Sequence, residues 1–165
     1  MRVLGIDPGL GTTGYGLVEL ERTGLRLCEA GTVRTRAGDP LPQRLAVLFE
    51  GIQEVIRDCR PDLIALEDLY SEYRFPRTAL LMAHARGTVC LAAAQAEVRL
   101  VSYAPAEVKS AVVGSGKASK VQVQGTVQRM FGLSDPPQPN DVADALALAI
   151  TGCYRQGSPL LVKAR

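Results

Sequence analysis

Short apolar runs that end at glycine, proline or an acid alternate along the chain with longer stretches of helical periodicity. Apolar runs bounded by turn-forming residues are typical of buried strands. They predict five strands, at residues 3–6, 15–21, 25–33, 63–66 and 98–103. Apolar residues that recur every three or four positions predict helices over 42–59, 78–97, 105–113, 120–131 and 141–154. Helices that punctuate a mixed set of strands predict an α/β layer architecture.

The first three predicted strands read as an antiparallel meander. Residues 22–24 lie between the second and third of these strands and predict a hairpin turn. The first strand leads through Asp7 into a Pro-Gly turn, and Gly11, Gly14 and Gly16 follow. These glycines either serve turns and a twisted strand or keep the surface above Asp7 bare for a phosphate backbone.

The length of 165 residues suits one domain, over residues 1–155, followed by a flexible basic tail over 156–165. Hydrophobic residues make up 47% and charged residues 22%, as in ordinary globular proteins. No apolar run nears the roughly 20 residues of a membrane span, and the chain opens on a strand instead of a leader. We therefore expect a cytoplasmic protein without a membrane partner. The net charge of +2 permits a nucleic-acid partner without arguing for one.

Two further expectations concern the burial of the cysteines and of the longest helix. The four cysteines, at positions 28, 59, 90 and 153, form no metal-binding or disulfide pattern, so we expect small buried hydrophobic side chains. The helix over 78–97 is apolar around most of its circumference, which predicts that it is largely buried. His84, the single histidine, is interpreted as a residue on a face of this helix.

Four acidic side chains occupy the ends of predicted elements. Asp7 and Glu67 each terminate a short aliphatic run, and Asp141 and Asp144 open the final helix, for which Asn140 is a good N-cap. Residues three apart on a helix share a face, so these two aspartates project together. Taken singly, each acid has an ordinary interpretation, as a turn aspartate, a strand-end charge or a complement to the helix dipole.

Taken together, the four acids favour a metal centre if the two strands are neighbours and the helix packs beside them. Like charges about 4 Å apart repel by roughly 4 kcal/mol at an effective dielectric of about 20, so such a cluster calls for a cation. All-oxygen ligands select Mg²⁺ or Mn²⁺ over zinc. Two such ions can activate a water and stabilise the leaving oxygen in phosphodiester hydrolysis. The residues alone leave the convergence of the acids open.

Several short motifs follow one another along the chain: GIDPG with TGYG, ALE at 65–67, ARG at 85–87, VK at 108–109 with VVGSG at 112–116, and DVADALALA at 141–149. In this combination the chain resembles the RuvC family of Holliday-junction resolvases up to about residue 154. The resemblance implies a ribonuclease H-like α/β fold with a five-stranded mixed sheet flanked by helices. It also implies a homodimer that nicks two strands of a four-way DNA junction symmetrically in recombination and repair, alongside the RuvA–RuvB branch-migration complex.

The same resemblance assigns the catalytic metal ligands. Asp7, Glu67, Asp141 and Asp144 match the family's catalytic acids, and part of the family has histidine at one of the helix positions. These side chains would hold Mg²⁺, with Mn²⁺ able to substitute, as two ions per active site. His84 is not required as a ligand.

The candidate DNA contacts are Tyr70, Arg74, Arg77, Lys109, Lys117 and Lys120. Lys109 and Lys120 match family lysines that grip the junction, although any one lysine is equally well explained as a solvated helix charge. Lys117 lies in a glycine-rich turn whose amides could reach phosphates. Tyr70 corresponds to an aromatic residue that contacts bases near the crossover, while Arg74 and Arg77 share its loop. The neighbouring aromatics at 73 and 75 could equally serve the dimer interface.

Three other functions compete with junction resolution. Small RuvC-like nucleases that trim ribosomal RNA precursors share a strand-end aspartate but would lack this lysine block. Phosphotransferases of the actin and sugar-kinase type also carry DxG and threonines in their first hairpin, yet they need two duplicated domains that 165 residues cannot supply. A non-catalytic junction-binding protein would gain by losing the four acids, because DNA is a polyanion.

Overall fold

Five strands form one mixed sheet, in the spatial order β3-β2-β1-β4-β5. The computed structural model describes residues 1–68 and 76–157, with only the backbone described at residues 76 and 77. The strands are β1 (Arg2–Asp7), β2 (Thr12–Glu21), β3 (Gly24–Arg34), β4 (Leu63–Glu67) and β5 (Leu100–Tyr103). β1 to β3 pair antiparallel, whereas β4 pairs parallel with both β1 and β5. The predicted five-stranded mixed sheet is confirmed.

Helices in the described part of the chain cover both faces of the sheet. They are α1 (Leu41–Cys59), α2 (Pro76–Gln95), α3 (Pro105–Val113), α4 (Lys120–Met130) and α5 (Asn140–Gln156). α1 and α2 share one core cluster with Leu4 and Ile6 of β1. α3, α4 and α5 share the other with Val3. The central strand β1 is therefore buried on both faces, as its continuous apolar run predicts.

The helix α5 lies directly against β1 and β2 because glycines of both strands face it. A Cβ atom on Gly5 of β1 would overlap the carbonyl oxygen of Ala145. A Cβ atom on Gly14 of β2 would overlap the main chain of Asp141, at the start of the helix. Glycine permits this close approach because it has no side chain, and the approach fixes where the first turn of α5 lies.

The interpretation of Gly14 and Gly16 as a bare surface for a phosphate backbone is wrong. α5 covers both residues, and a Cβ atom on Gly16 would come within 2.8 Å of Leu146 Cγ. Gly11 is open instead, since the nearest atom to a Cβ placed there is Arg44 Nη2 at 3.9 Å. Gly14 and Gly16 do lie in a strand, β2, but what their missing side chains admit is the helix α5 and not a phosphate backbone.

The prediction that the long helix α2 is largely buried is also wrong. Ala85 and Val89 pack in the core with α1 and the sheet. On the other side of the helix, Leu80 and Leu91 are 63% and 53% exposed. The helix is apolar around its circumference, but only one of its faces meets the sheet and α1.

Asn140 does not act as the predicted N-cap of α5. Pro139 occupies the N-cap position, and the helix has no side-chain cap bond there. The amide of Val142 donates to the carbonyl oxygen of Pro139 at 2.9 Å, so Asn140 is already the first helical residue. The helix therefore begins one residue earlier than predicted.

The remaining expectations meet mixed outcomes. Cys59 and Cys153 are buried, whereas Cys28 on the edge strand β3 and Cys90 on the flank of α2 are only half-buried. His84 is an exposed helix residue, as expected. α5 ends one residue past the predicted domain boundary, and residues 158–165 of the predicted tail lie outside the described residues. Among residues 1–68 and 76–157, no helix has the length and apolarity that a membrane crossing demands.

Candidate active site

Asp7 and Glu67 end two neighbouring parallel strands on the same face of the sheet. β1 and β4 pair in register up to the residue before each acid, which sets the two acids side by side. Side chains alternate between the faces of a strand. Val3 and Leu63 are each an even number of positions from the acid on the same strand and so share its face, and both lie in the core cluster that contains α5. Both carboxylates therefore face the side of the sheet that α5 covers.

The turn after Asp7 is fixed by a buried threonine. The hydroxyl of Thr13 donates to the carbonyl oxygen of Gly9 at 2.8 Å and accepts from the Gly9 amide at 3.3 Å. Thr13 is fully buried, so this pair of bonds does not compete with water. The bonds hold the chain where it leaves β1, and they hold Asp7 at the rim of the core.

Asp141 and Asp144 enter the site from the start of α5. Gly14 pairs with Asp7 across β1 and β2, and its missing side chain admits the main chain of Asp141. Asp144, one turn further along, lines the same cavity as Asp7 and Glu67. The structure thus brings three of the predicted acids into one cavity. Asp141 is not part of the lining, but its charge adds to the rise in the pKa of Asp7.

Electrostatic crowding is strongest at Asp7. Burial, the largest cause, and the charges of Asp144, Glu67 and Asp141 together raise the pKa of Asp7 from its ordinary value of 3.8 to about 7, while Lys120 opposes the rise. Burial likewise raises the pKa of Glu67, with the charge of Asp144 adding to the effect. The cluster therefore carries an excess of negative charge that a bound cation would neutralise.

Two lysines border the acids. Lys120 is the first residue of α4, whose N-cap Ser119 accepts a bond from Gln122. Its ammonium nitrogen lies 2.6 Å from Asp144 Oδ2. Burial acts to lower the pKa of Lys120, but the hydrogen bond and charge of Asp144, with the charges of Asp7 and Asp141, outweigh it and the pKa is raised. Lys120 therefore remains a cation inside the site.

The cavity that contains these groups has a volume of about 270 Å³. Its lining comprises Asp7, Glu67, Pro105, Val108, Lys109, Lys120, Val123, Asp144, Ala147 and Leu148. The sheet and α5 supply the acids, α3 and α4 supply the two lysines, and all three helices add apolar side chains. The arrangement suits an anionic substrate that meets cations at the edge of an acidic centre.

The donor set fits a hard divalent cation. In the part of the chain that the structure describes, no three acidic, histidine or cysteine side chains form a closed metal-binding group. The carboxylates nevertheless supply only oxygen donors, and the raised pKa of Asp7 marks the charge excess that such an ion relieves. Oxygen donors of this kind suit Mg²⁺ or Mn²⁺ and not softer metals.

The predicted DNA contacts fall in different places. Lys109 of α3 and Lys120 of α4 line the cavity, whereas Lys117 is exposed in the turn before α4 and lies outside the lining. Tyr70 and Arg74 lie outside the described residues, as do the aromatics at 73 and 75. Arg77 falls in the first turn of α2, where only the backbone is described.

Two residues that support the strand ends were missed from the sequence. Thr13 holds the turn after Asp7, and Arg86 donates to the carbonyl oxygen of Glu67 at 2.8 Å. Arg86 lies in the ARG motif at 85–87, which marked the family resemblance without indicating a role. Thr13 had no signal of its own, because a threonine that opens a strand is common.

Comparisons with known proteins agree on one family. The family model described as crossover junction endodeoxyribonuclease RuvC matches residues 3–152. A crossover junction endodeoxyribonuclease RuvC from Rhodopirellula baltica is 47% identical over 158 residues, which cover 96% of this chain and 89% of that relative.

Solved structures give the same result. The structure of Thermus thermophilus RuvC matches with a TM-score of 0.86 at 36% identity, covering 95% of this chain and 97% of that one. T. thermophilus RuvC in complex with Holliday junction substrate matches with a TM-score of 0.88 at 34% identity, covering 94% of each chain. The predicted ribonuclease H-like fold is thereby confirmed. The chain belongs to the RuvC family of crossover junction endodeoxyribonucleases.

Proposed function

We propose that this chain is a metal-dependent, structure-selective endonuclease that resolves Holliday junctions by symmetric nicking of two strands in homologous recombination and DNA repair. The observation that carries the proposal is the cavity in which Asp7, Glu67 and Asp144 meet Lys109 and Lys120. It occurs in a chain similar to T. thermophilus RuvC, which has been solved with Holliday junction substrate. The acids suit metal-assisted hydrolysis, and the lysines suit a phosphate backbone.

Asp7, Glu67, Asp141 and Asp144 are the proposed catalytic residues and metal ligands. We propose that they hold two Mg²⁺ ions, with Mn²⁺ able to substitute. When bound, these ions activate a water and stabilise the leaving oxygen of the phosphodiester. The protein itself fixes the acids on rigid elements, with two at adjacent strand ends and two at the start of α5. The close approach of α5 to Gly14 sets the distance between the two pairs.

The lysines have separate proposed roles in DNA binding. Lys109 and Lys120 border the acids and can hold the phosphate that is cut, while Lys120 also orients Asp144 through their contact. Lys117 is exposed outside the cavity and suits a phosphate further along the strand, without sequence preference. Tyr70, Arg74 and Arg77 stay predictions for contacts with bases or phosphates near the crossover.

We further propose a homodimer, supported by an exposed seam on α2. Its members are spaced alternately four and three residues apart, and all are exposed: Leu80, His84, Gly87, Leu91 and Ala94. Spacing of this kind suits packing against a second helix, and a second copy of α2 offers the matching surface. A two-fold dimer would provide two active sites for the two strands of a junction. Coupling to the RuvA–RuvB complex and a cytoplasmic location, where the DNA substrate lies, belong to the same proposal.

The seam predicts the effect of a charge on the dimer. Leu91→Glu places a carboxylate at a position that is 53% exposed in one chain and buried in the proposed dimer. We expect the dimer dissociation constant to rise at least about tenfold, which analytical ultracentrifugation measures. Val47→Glu, at a position on α1 that is 45% exposed, is the matched control and should leave the constant unchanged. An unaltered dimer in L91E would contradict the proposed interface.

The function is tested directly with a synthetic mobile four-way junction. With Mg²⁺ or Mn²⁺ we expect paired nicks in two strands at symmetric positions, and with EDTA we expect binding without nicks. Linear duplex of the same sequence should be cut at least about a hundredfold more slowly, because the proposed activity selects structure. Equal cutting of the duplex would contradict junction selectivity. Binding without cutting under any metal would favour a non-catalytic protein, and preferential trimming of a structured RNA precursor would favour an RNA-processing nuclease.

A further inference from the structure

Arg86 of α2 joins three parts of the fold through one guanidinium group. Its side chain is only 17% exposed. Nη1 donates to the main-chain oxygen of Glu67 at 2.8 Å, and Nη2 donates to Ser102 Oγ on β5 at 2.7 Å. Nη2 also lies 3.4 Å from Asp68 Oδ1. The contacts connect the end of β4 with β5 and with α2.

These contacts act where the pairing of β4 with β1 stops. The pairs between β1 and β4 end at the residue before Glu67. On the other side, the amide of Asp68 donates to the carbonyl oxygen of Tyr103 on β5 at 2.8 Å. Arg86 supplies a side-chain hydrogen bond to the main chain of Glu67 itself, between these two points. The Glu67 main chain is therefore held on one side by its pairing with Tyr103 of β5 and at its carbonyl oxygen by the arginine.

The guanidinium works through geometry and not through its charge on the acids. α2 packs in the core with α1, on the face of the sheet opposite to α5, whereas the Glu67 side chain lines the cavity beside α5. The cations that line this cavity with Glu67 are Lys109 of α3 and Lys120 of α4, and Arg86 is not part of the lining. The hydrogen bonds of Arg86 therefore reach the main chain from behind the acidic cluster.

We propose that Arg86 is a positioning residue for Glu67, which fixes the main chain so that the carboxylate keeps its place among the other acids. The inference rests on the proposed function. A planar guanidinium serves acceptors on two strands at once, and a lysine ammonium does not reproduce that fork. Groups that orient a metal ligand typically contribute about 10–100-fold to metal affinity or activity.

The test compares Arg86→Met, Arg86→Lys and Ser102→Ala with the wild type. Arg57→Met is the matched control, because Arg57 lies on α1 with its side chain 70% exposed. Three quantities are measured: the single-turnover rate of junction cutting, junction affinity in EDTA, and the Mn²⁺ affinity of the DNA-free protein from the electron paramagnetic resonance signal of free Mn²⁺. Circular dichroism establishes that each variant is folded.

We expect both Arg86 variants to lose about 10–100-fold in cutting rate and in Mn²⁺ affinity, with junction affinity in EDTA within about twofold of wild type. Ser102→Ala removes one acceptor and should lose less, about three- to tenfold, because the bond to Glu67 stays. Arg57→Met should match the wild type. An arginine that only supported the general fold would lower thermal stability and leave the Mn²⁺ affinity of the folded fraction unchanged.

The proposal is overturned if a folded Arg86→Met variant keeps the wild-type cutting rate and Mn²⁺ affinity. It is also overturned if Arg86→Lys restores both, because charge alone would then suffice. If neither Arg86 variant folds, Ser102→Ala decides, and wild-type values in it reject the proposal. A wild-type protein that cuts no junction would instead defeat the proposed function, while the Mn²⁺ measurement would still test Arg86.

Discussion

Replacing Asp7 by Asn is expected to stabilise the metal-free protein at pH 8 and to abolish cutting of the junction. Burial and the neighbouring acids raise the pKa of Asp7 from 3.8 to about 7 in the folded state. As pH rises from about 4 to 7, the unfolded chain has lost this proton and the folded chain retains it, so stability falls across that window. Above pH 7 the folded chain bears the full cost of the buried charge.

The gain in stability of D7N follows from the same shift in the pKa of Asp7. One pKa unit corresponds to about 1.4 kcal/mol, so a shift near three units sets an upper value of about 4 kcal/mol. We expect the free energy of unfolding in EDTA to rise by about 2–4 kcal/mol at pH 8 and to change little at pH 4. Urea denaturation at the two pH values measures this difference. Asp135→Asn, at an exposed position, is the control and should change stability at neither pH.

The loss of cutting in D7N has a different cause from the gain in stability. The amide removes one of the proposed metal ligands, and we expect the cutting rate to fall at least about a thousandfold, or about 4 kcal/mol in the barrier. Junction affinity should be retained, since one negative charge near the DNA is removed. Mg²⁺ should raise the melting temperature of the wild type and not that of D7N. Unchanged stability at pH 8, or cutting within tenfold of wild type, would contradict this account.

The sequence predicts each acid of the site from local signals. Asp7 and Glu67 stand out because an aliphatic run stops at each of them, and a helix start marks Asp141 and Asp144. Their convergence is not local, because it depends on β4 pairing in parallel with β1 across some 60 residues of chain. On the sequence side, only the family resemblance implies that β1 and β4 are neighbours. The site's composition was therefore predictable from residues, and its geometry was not.

The errors made from sequence share one physical origin. The bare surface at Gly14 and Gly16 and the burial of α2 are both expected from local sequence, which holds no information on what packs against either. A glycine that makes room for a ligand and a glycine that makes room for a helix cannot be told apart from a single sequence. Similarly, an apolar helix face can meet a core or a second subunit. Arg86 escaped notice because its acceptors, a carbonyl oxygen and a serine hydroxyl, lie on other strands.

The packing of α5 predicts that Gly14→Ala disables the site without altering any polar or charged group. A methyl group on Gly14 would overlap the carbonyl oxygen of Asp141, so the start of α5 must move away from β2. Displacements of about 1 Å in a catalytic group can cost about 100-fold in rate. We expect single-turnover cutting to fall at least about a hundredfold. Overpacking should also lower the free energy of unfolding by about 1–3 kcal/mol.

Gly11→Ala is the matched control, because it adds the same methyl group in the same motif where the nearest atom is 3.9 Å away. It should keep the wild-type cutting rate and stability. Junction affinity in EDTA should stay at the wild-type value in Gly14→Ala, because α5 covers Gly14 and keeps it away from the DNA. A loss of cutting without a loss of binding would therefore mean that Gly14 acts by setting the position of the Asp141 main chain. Wild-type cutting by folded G14A would mean that the site tolerates movement of α5, contrary to the proposed role of its two aspartates.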